Sequence, residues 1–128
     1  MILVDTSIFI DYFRKQNKEK TILFQLFAKN EDLAISVITK YELMLGSNTQ
    51  QDLFWKALLQ KVKIIALDEA IIDETVKIKK ELKSKNQEIG LADMLIAATA
   101  RFQHFKLATL NIGHFKRVNH LLIFEMPI

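Results

Sequence analysis

Three carboxylates stand apart from the other acids of this sequence by what surrounds them: Asp5, Glu42 and Asp93. Asp5 ends the run Met1-Ile2-Leu3-Val4 and is followed by two hydroxyl residues, Thr6 and Ser7. Asp93 lies among Leu91, Ala92, Met94, Leu95 and Ile96, where an unpaired buried carboxylate would cost several kcal/mol. The helix dipole favours a first-turn acid by roughly 0.3–1 kcal/mol, which accounts for an exposed acid better than for one in so apolar a run. Glu42 sits among Val37, Ile38, Tyr41, Met44 and Leu45 with Lys40 nearby, and alone reads as part of a solvated helix face. Asp5 alone reads equally well as a helix cap or a strand end. Gathered in one place, the three would repel one another unless a cation neutralised them. The chain has no Cys and no paired-His motif, so oxygen ligation favours a hard ion, Mg²⁺ or Mn²⁺. Such ions activate water and clamp phosphate oxygens in phosphodiester hydrolysis. Asp11, Glu31, Asp32, Asp52, Asp68, Glu69, Asp73 and Glu74 read as caps, first-turn acids or surface.

The elements that must position these acids follow from the pattern. The apolar run before Asp5 predicts a strand buried on both faces, which puts Asp5 at its carboxyl end, the edge where open α/β sheets bind ligands. Thr6 or Ser7 can then N-cap a helix running from about Ser7 to Lys15. Thr21 can cap a second helix bearing Ile22, Leu23, Leu26 and Phe27. Leu33-Ala34-Ile35 reads as a short strand, with Ser36 capping a helix over 37–45 that Gly46 closes. Leu53, Phe54, Ala57 and Leu58 are spaced for another helix, with Trp55 off the stripe. A strand over 62–67 leads to Asp68 as the cap of a long helix carrying Ile71, Ile72, Thr75, Val76, Ile78, Lys79 and Leu82, an amphipathic stripe rather than a fully buried one. After Gly90 an Ala-rich helix runs to about Phe105. Segments 106–110 and 121–126 read as the fourth and fifth strands, with a short helical piece around His114 to Val118 between them. Strands alternating with helices predict a three-layer α/β/α architecture with a central parallel sheet of about five strands, in one domain over 1–128.

Composition narrows the classes. With 128 residues, 50% of them hydrophobic and only 3 Gly and 1 Pro, the chain can bury a sizeable core in regular structure. Its charge of +3 is mildly basic. If several acids share one pocket, the remaining surface is more positive still, which suits a polyanionic partner. The absence of Cys excludes disulfides and thiol chemistry and fits a cytoplasmic setting. No basic region precedes the first apolar residues and Asp5 interrupts them, so a signal peptide is not expected. No apolar run approaches the ~20 residues that span a bilayer.

Four segments together resemble a known family. They are Ile2-Leu3-Val4-Asp5-Thr6-Ser7; Ser36 through Leu43 with Gly46 behind it; Ile89-Gly90-Leu91-Ala92-Asp93 through Ala100; and Thr109-Leu110-Asn111-Ile112-Gly113-His114-Phe115. In this order and spacing the chain resembles the PIN-domain ribonucleases, and within them the VapC-type toxins of prokaryotic toxin–antitoxin pairs. The resemblance implies a PIN-like fold and metal-dependent endoribonuclease activity with Mg²⁺ or Mn²⁺. It implies that Asp5 and Asp93 are the principal metal ligands, with Glu42 a ligand or the group that orients the attacking water. Thr6 and Thr109 stand where hydroxyls support the site. It also implies an RNA substrate, a homodimer, and an antitoxin that occludes the active site. Many members carry a fourth acid where this chain has Asn111, which removes a charge and puts a second metal in doubt. His114 can contact a phosphate or be merely structural, and Arg14, Lys15, Lys18, Lys20, Lys116 and Arg117 are candidate RNA contacts. His104 and His120 suggest no partner.

Two other classes compete. A phosphatase of the haloacid dehalogenase type needs a second Asp two residues after the first, where this chain has Ser7; a receiver domain needs its phosphoacceptor after a later strand. A PIN-fold binding module without catalysis has no reason to keep three carboxylates.

Overall fold

The opening apolar run forms β1 (Ile2–Val4), and all three of its residues are buried. Successive side chains of a strand point to opposite faces, and here the two faces belong to two separate cores. Leu3 joins Ile71, Ile78, Leu82, Ile96, Ala97 and Leu107. Ile2 and Val4 join Ile8, Phe9, Leu23, Leu26 and Trp55. A strand apolar on both sides has thus become the middle of three layers. The computed structural model describes residues 1–125.

After β1 come α1 (Thr6–Arg14), a 3₁₀ turn at Lys18–Lys20, α2 (Ile22–Ala28) and β2 (Leu33–Ser36). Then follow α3 (Val37–Leu45), α4 (Thr49–Leu59), β3 (Lys63–Ile65), α5 (Glu69–Ser84), α6 (Leu91–Gln103), β4 (Lys106–Ala108) and α7 (Ile112–Phe115). The strands lie in the order β3-β2-β1-β4, and every neighbouring pair is parallel. Leu3 sits opposite Ala34 on one side and Leu107 on the other, so β1 is held by both neighbours.

The expected fifth strand is reduced to one bridge. Leu107 donates its N–H to the Leu122 carbonyl at 2.8 Å and accepts from the Phe124 N–H at 2.8 Å, pairing it in parallel with Ile123. In a three-residue β4, only the middle residue turns its backbone groups away from β1, so there is nothing further to pair with. Met126 of that expected strand lies outside the described residues.

The cap residues mostly behave as their types predict. Thr21, Ser36 and Asp68 each accept a bond from a first-turn N–H of the following helix. Gly46 does occupy the end of α3, but in right-handed conformation at φ −82°, so it does not serve as a left-handed cap. That role falls to His104 at the end of α6, with φ 58°. The turn it makes lets the Phe105 N–H reach back to the Ala100 carbonyl at 2.9 Å, a Schellman-type closure. The stripe expected for α4 is rotated: Trp55 and Leu59 are buried while Leu53 is exposed. Trp55 makes an edge contact with Phe9 and packs on Phe13, and burial of the largest apolar side chain sets the helix's roll. No helix among the described residues is long and apolar enough to cross a membrane.

Candidate active site

All four strands point the same way, so the segments that leave them gather at one edge. Asp5 leaves β1, Ser36 hands β2 to α3, and Thr109 leaves β4. The end of α6 connects directly to the start of β4, so its first turn, with Asp93, is brought back to that same edge.

Asp5 is only 2% exposed. Its Oδ2 accepts two hydroxyl bonds, from Ser7 Oγ and Thr109 Oγ1, each at 2.7 Å. Burial pushes its carboxyl above the ordinary value of 3.8; the bonds from Ser7 and Thr109 oppose that shift, and the nearby charge of Asp93 adds to it. Asp5 occupies the N-cap position of α1 but makes no side-chain cap bond. Thr6 and Ser7, the expected caps, lie inside the helix and turn their hydroxyls to the site.

Glu42 stands in the second turn of α3, half-buried. Thr6 Oγ1 lies 2.7 Å from Glu42 Oε1 and 3.1 Å from Thr39 Oγ1. The carboxylate can only accept, so the one proton of Thr6 goes to Glu42 and Thr39 bonds back to Thr6. A solvated helix face is therefore the wrong account of Glu42. Asp93 is more open than its apolar neighbours imply, with 27% of its side chain exposed, and His114 Nδ1 approaches its Oδ2 at 3.5 Å. The apolar run is explained by burial of residues 94–100, while the first turn of α6 emerges at the sheet edge.

Two clefts open on either side of Ile10 and Arg14, and Glu42 lines one of them. One is lined by Ile10, Phe13, Arg14, Glu42, Leu43 and Trp55 among others; the other by Ser7, Ile10, Asp11, Arg14, Lys15, Leu110 and Asn111. Arg14 lines both. Lys15 pairs with Asp11 at 3.1 Å, whereas Lys116 and Arg117 line neither cleft. Asn111 is exposed, and its N–H donates to Thr109 Oγ1 at 2.9 Å.

Sequence reasoning passed over two residues that the fold brings into the site. Thr39 lies one helical turn before Glu42, a spacing that could have been noticed. Ser7 reads in sequence as a helix cap, and only the return of the chain a hundred residues later shows its other use. Among the described residues no three acidic or histidine side chains converge as a ready-made metal cage, and none of the three acids is paired with Lys or Arg. The donor set fits Mg²⁺ or Mn²⁺, because such ions are commonly held by one or two carboxylates and keep several waters. Asp5 Oδ1 and Asp93 would supply that pair.

The chain belongs to the PIN-domain family, whose model matches residues 2–121. Among curated proteins it is 36% identical to Ribonuclease VapC1 of Methanocaldococcus jannaschii, over 91% of this chain and 80% of that protein. It is 34% identical to Ribonuclease VapC10 of Mycobacterium tuberculosis, over 94% of this chain and 90% of the relative. Among solved structures, VapBC2 from Rickettsia felis, bound to a DNA fragment from its promoter, superposes with a TM-score of 0.84 at 30% identity, covering 97% of this chain and 98% of that one. VapBC-1 from nontypeable Haemophilus influenzae gives a TM-score of 0.83 at 28% identity, covering 98% of each.

The raised pKa of Asp5 yields a pH prediction. Folding holds its proton more tightly than the unfolded chain does, so the stability associated with neutral Asp5 is complete below about pH 3.8 and is lost as pH rises through the folded value. Asp5→Asn keeps an acceptor oxygen for both hydroxyls and removes the charge. In chelator, the variant should melt above the wild type at neutral pH, with the gap closing toward pH 4. Thermal melts across that range check it, and a variant less stable at every pH would refute the burial argument.

Proposed function

We propose that this chain is the ribonuclease toxin of a toxin–antitoxin pair, cleaving RNA phosphodiester bonds with Mg²⁺ or Mn²⁺. The observation that carries the reading is Asp5: a buried carboxylate at the carboxyl edge of the central strand, beside Asp93, with no cationic side chain paired to it among the described residues. The names of the relatives, ribonucleases and toxin–antitoxin complexes, support the same reading. Asp5, through the oxygen not engaged by hydroxyls, and Asp93 would hold the ion. When bound, it supplies Lewis acidity at phosphate and a more acidic water. Glu42 has one oxygen fixed by Thr6, which leaves the other to orient water and take up its proton. Arg14, on the wall of both clefts, offers positive charge to the RNA backbone. An antitoxin can close the same anionic pocket with a basic side chain, best an Arg bidentate to carboxylate.

Purified protein should cleave single-stranded RNA with Mg²⁺ or Mn²⁺ and fall silent in EDTA, and Asp93→Asn should lower the rate by about 100-fold or more. Adding the cognate antitoxin should stop cleavage. Full activity in EDTA would defeat the metal reading, and a wild type inert with either ion would favour a binding module.

We also propose a second copy of this chain as a partner, from the surface of α5. Its outer stripe reads Glu69, Ile72, Asp73, Val76, Lys80, Lys83: acids first, exposed apolar residues in the middle, lysines last. About a twofold axis the helix would meet itself antiparallel, setting acids against lysines and Ile72 and Val76 against their symmetry mates. The stripe borders an apolar groove of about 500 Å³ lined by Ile72, Val76, Ile89, Leu91, Met94 and Leu95, and Leu91 beside it is 65% exposed. Sedimentation should show a dimer that Val76→Lys converts to a folded monomer. A wild type that is monomeric at tens of micromolar would contradict this.

A further inference from the structure

Two hydrogen-bonded chains of identical chemistry end on a single oxygen of Asp5. In one, the Leu110 N–H donates to Ser7 Oγ at 3.1 Å, and Ser7 Oγ donates to Asp5 Oδ2 at 2.7 Å. In the other, the Asn111 N–H donates to Thr109 Oγ1 at 2.9 Å, and Thr109 Oγ1 donates to the same Oδ2 at 2.7 Å. A backbone N–H can only donate, so each hydroxyl must accept from it and send its own proton on to the carboxylate. Neither rotor is free to turn, and Oδ2 has both of its acceptor positions used.

The consequences run in two directions. Toward the acids, Asp5 is presented with Oδ1 alone unengaged by side-chain hydroxyls. Toward the loop, the backbone of Leu110 and Asn111 is registered on the end of β1, although 103 residues separate Leu110 from Ser7. Ser7 gives nothing to the capping of α1, whose cap position makes no side-chain bond. Its hydroxyl is spent wholly on this tie.

We propose that Ser7 is a positioning residue: with Thr109 it forms a double latch that selects the metal-binding oxygen of Asp5 and sets Asn111 beside it. The inference rests on the metal reading given above. It requires the Ser7 hydroxyl, not merely a small side chain, and it couples Ser7 energetically to Asn111 across the loop.

The experiment is a calorimetric titration of Mn²⁺ into the full-length wild type, Ser7→Ala, Ser7→Thr, Asn111→Ala and the Ser7→Ala/Asn111→Ala double variant. Amide hydrogen exchange is followed at Leu110 and Asn111. Removing hydrogen-bond partners of a ligating carboxylate typically weakens metal binding 10–100-fold, and Ser7→Ala should fall in that range, with faster exchange at Leu110 than at Asn111. Ser7→Thr, which keeps the hydroxyl, should bind within a few-fold of wild type. The double variant should lose less than the product of the single losses, since releasing Leu110 in Ser7→Ala already loosens the neighbouring Asn111. Unchanged Mn²⁺ affinity in Ser7→Ala, even with faster exchange at Leu110, would reduce Ser7 to a loop tie and overturn the proposal. So would equal losses in the Ala and Thr variants. A wild type that binds no Mn²⁺ would defeat the metal reading itself, and this inference with it.

Discussion

One buried negative charge organises this molecule. Asp5 is fixed by the chain at the end of the central strand, surrounded by protein, next to another acid and, among the described residues, without a cationic partner. A carboxylate so placed raises the free energy of the metal-free fold, and the structure reduces the cost only partly, through two hydroxyl donors on one oxygen and the Thr6 backbone N–H. None of these donors carries a full positive charge. A site under that strain is an attractive home for a divalent cation, and the stability of the surrounding layers is what allows it to persist.

Those layers follow from β1. Its central place means that Leu3 and Val4 are inaccessible to solvent from either face, and parallel neighbours on both sides fix its register. The same parallel arrangement makes every strand deliver its next residue to one edge. Position along the chain is thereby converted into proximity: residues 5, 42, 93 and 109 lie at one edge because each follows a strand or begins the helix that precedes one. Hydroxyl residues then do the finer placement, Thr6 with Thr39 for Glu42 and Ser7 with Thr109 for Asp5.

The elements that carry the acids were readable from local signals. The apolar run of β1, the caps Thr21, Ser36 and Asp68, and the Ala-rich α6 are all properties of a few adjacent residues. Asp5 and Asp93 were readable as misfits among apolar neighbours, and Glu42 only through the family pattern. What escaped was set by distant partners. Ser7 looks like a helix cap until the β4–α7 loop arrives to bond it. The roll of α4 depends on Phe9 and Phe13 of α1, which periodicity within 53–58 does not contain. His104 acts by adopting a left-handed turn where glycine is the usual choice, so its type misleads. Gly46 misleads in the opposite sense, since a right-handed end needs no glycine; a Cβ there would make only ordinary contacts. The fifth strand failed for want of exposed backbone on β4, a property of the neighbour and not of residues 121–126.

A divalent cation would supply the positive charge that Asp5 has no side chain to meet. Thermal melting of the wild-type chain across a series of Mn²⁺ concentrations tests it most directly, with Asp5→Asn measured alongside. A ligand that binds only the folded state raises stability in proportion to the logarithm of its concentration once that exceeds the dissociation constant. The wild type should therefore melt progressively higher as Mn²⁺ increases, and the Asn variant should respond little or not at all. A wild-type melting temperature that stays level up to millimolar Mn²⁺, or an equal rise in the variant, would contradict the account.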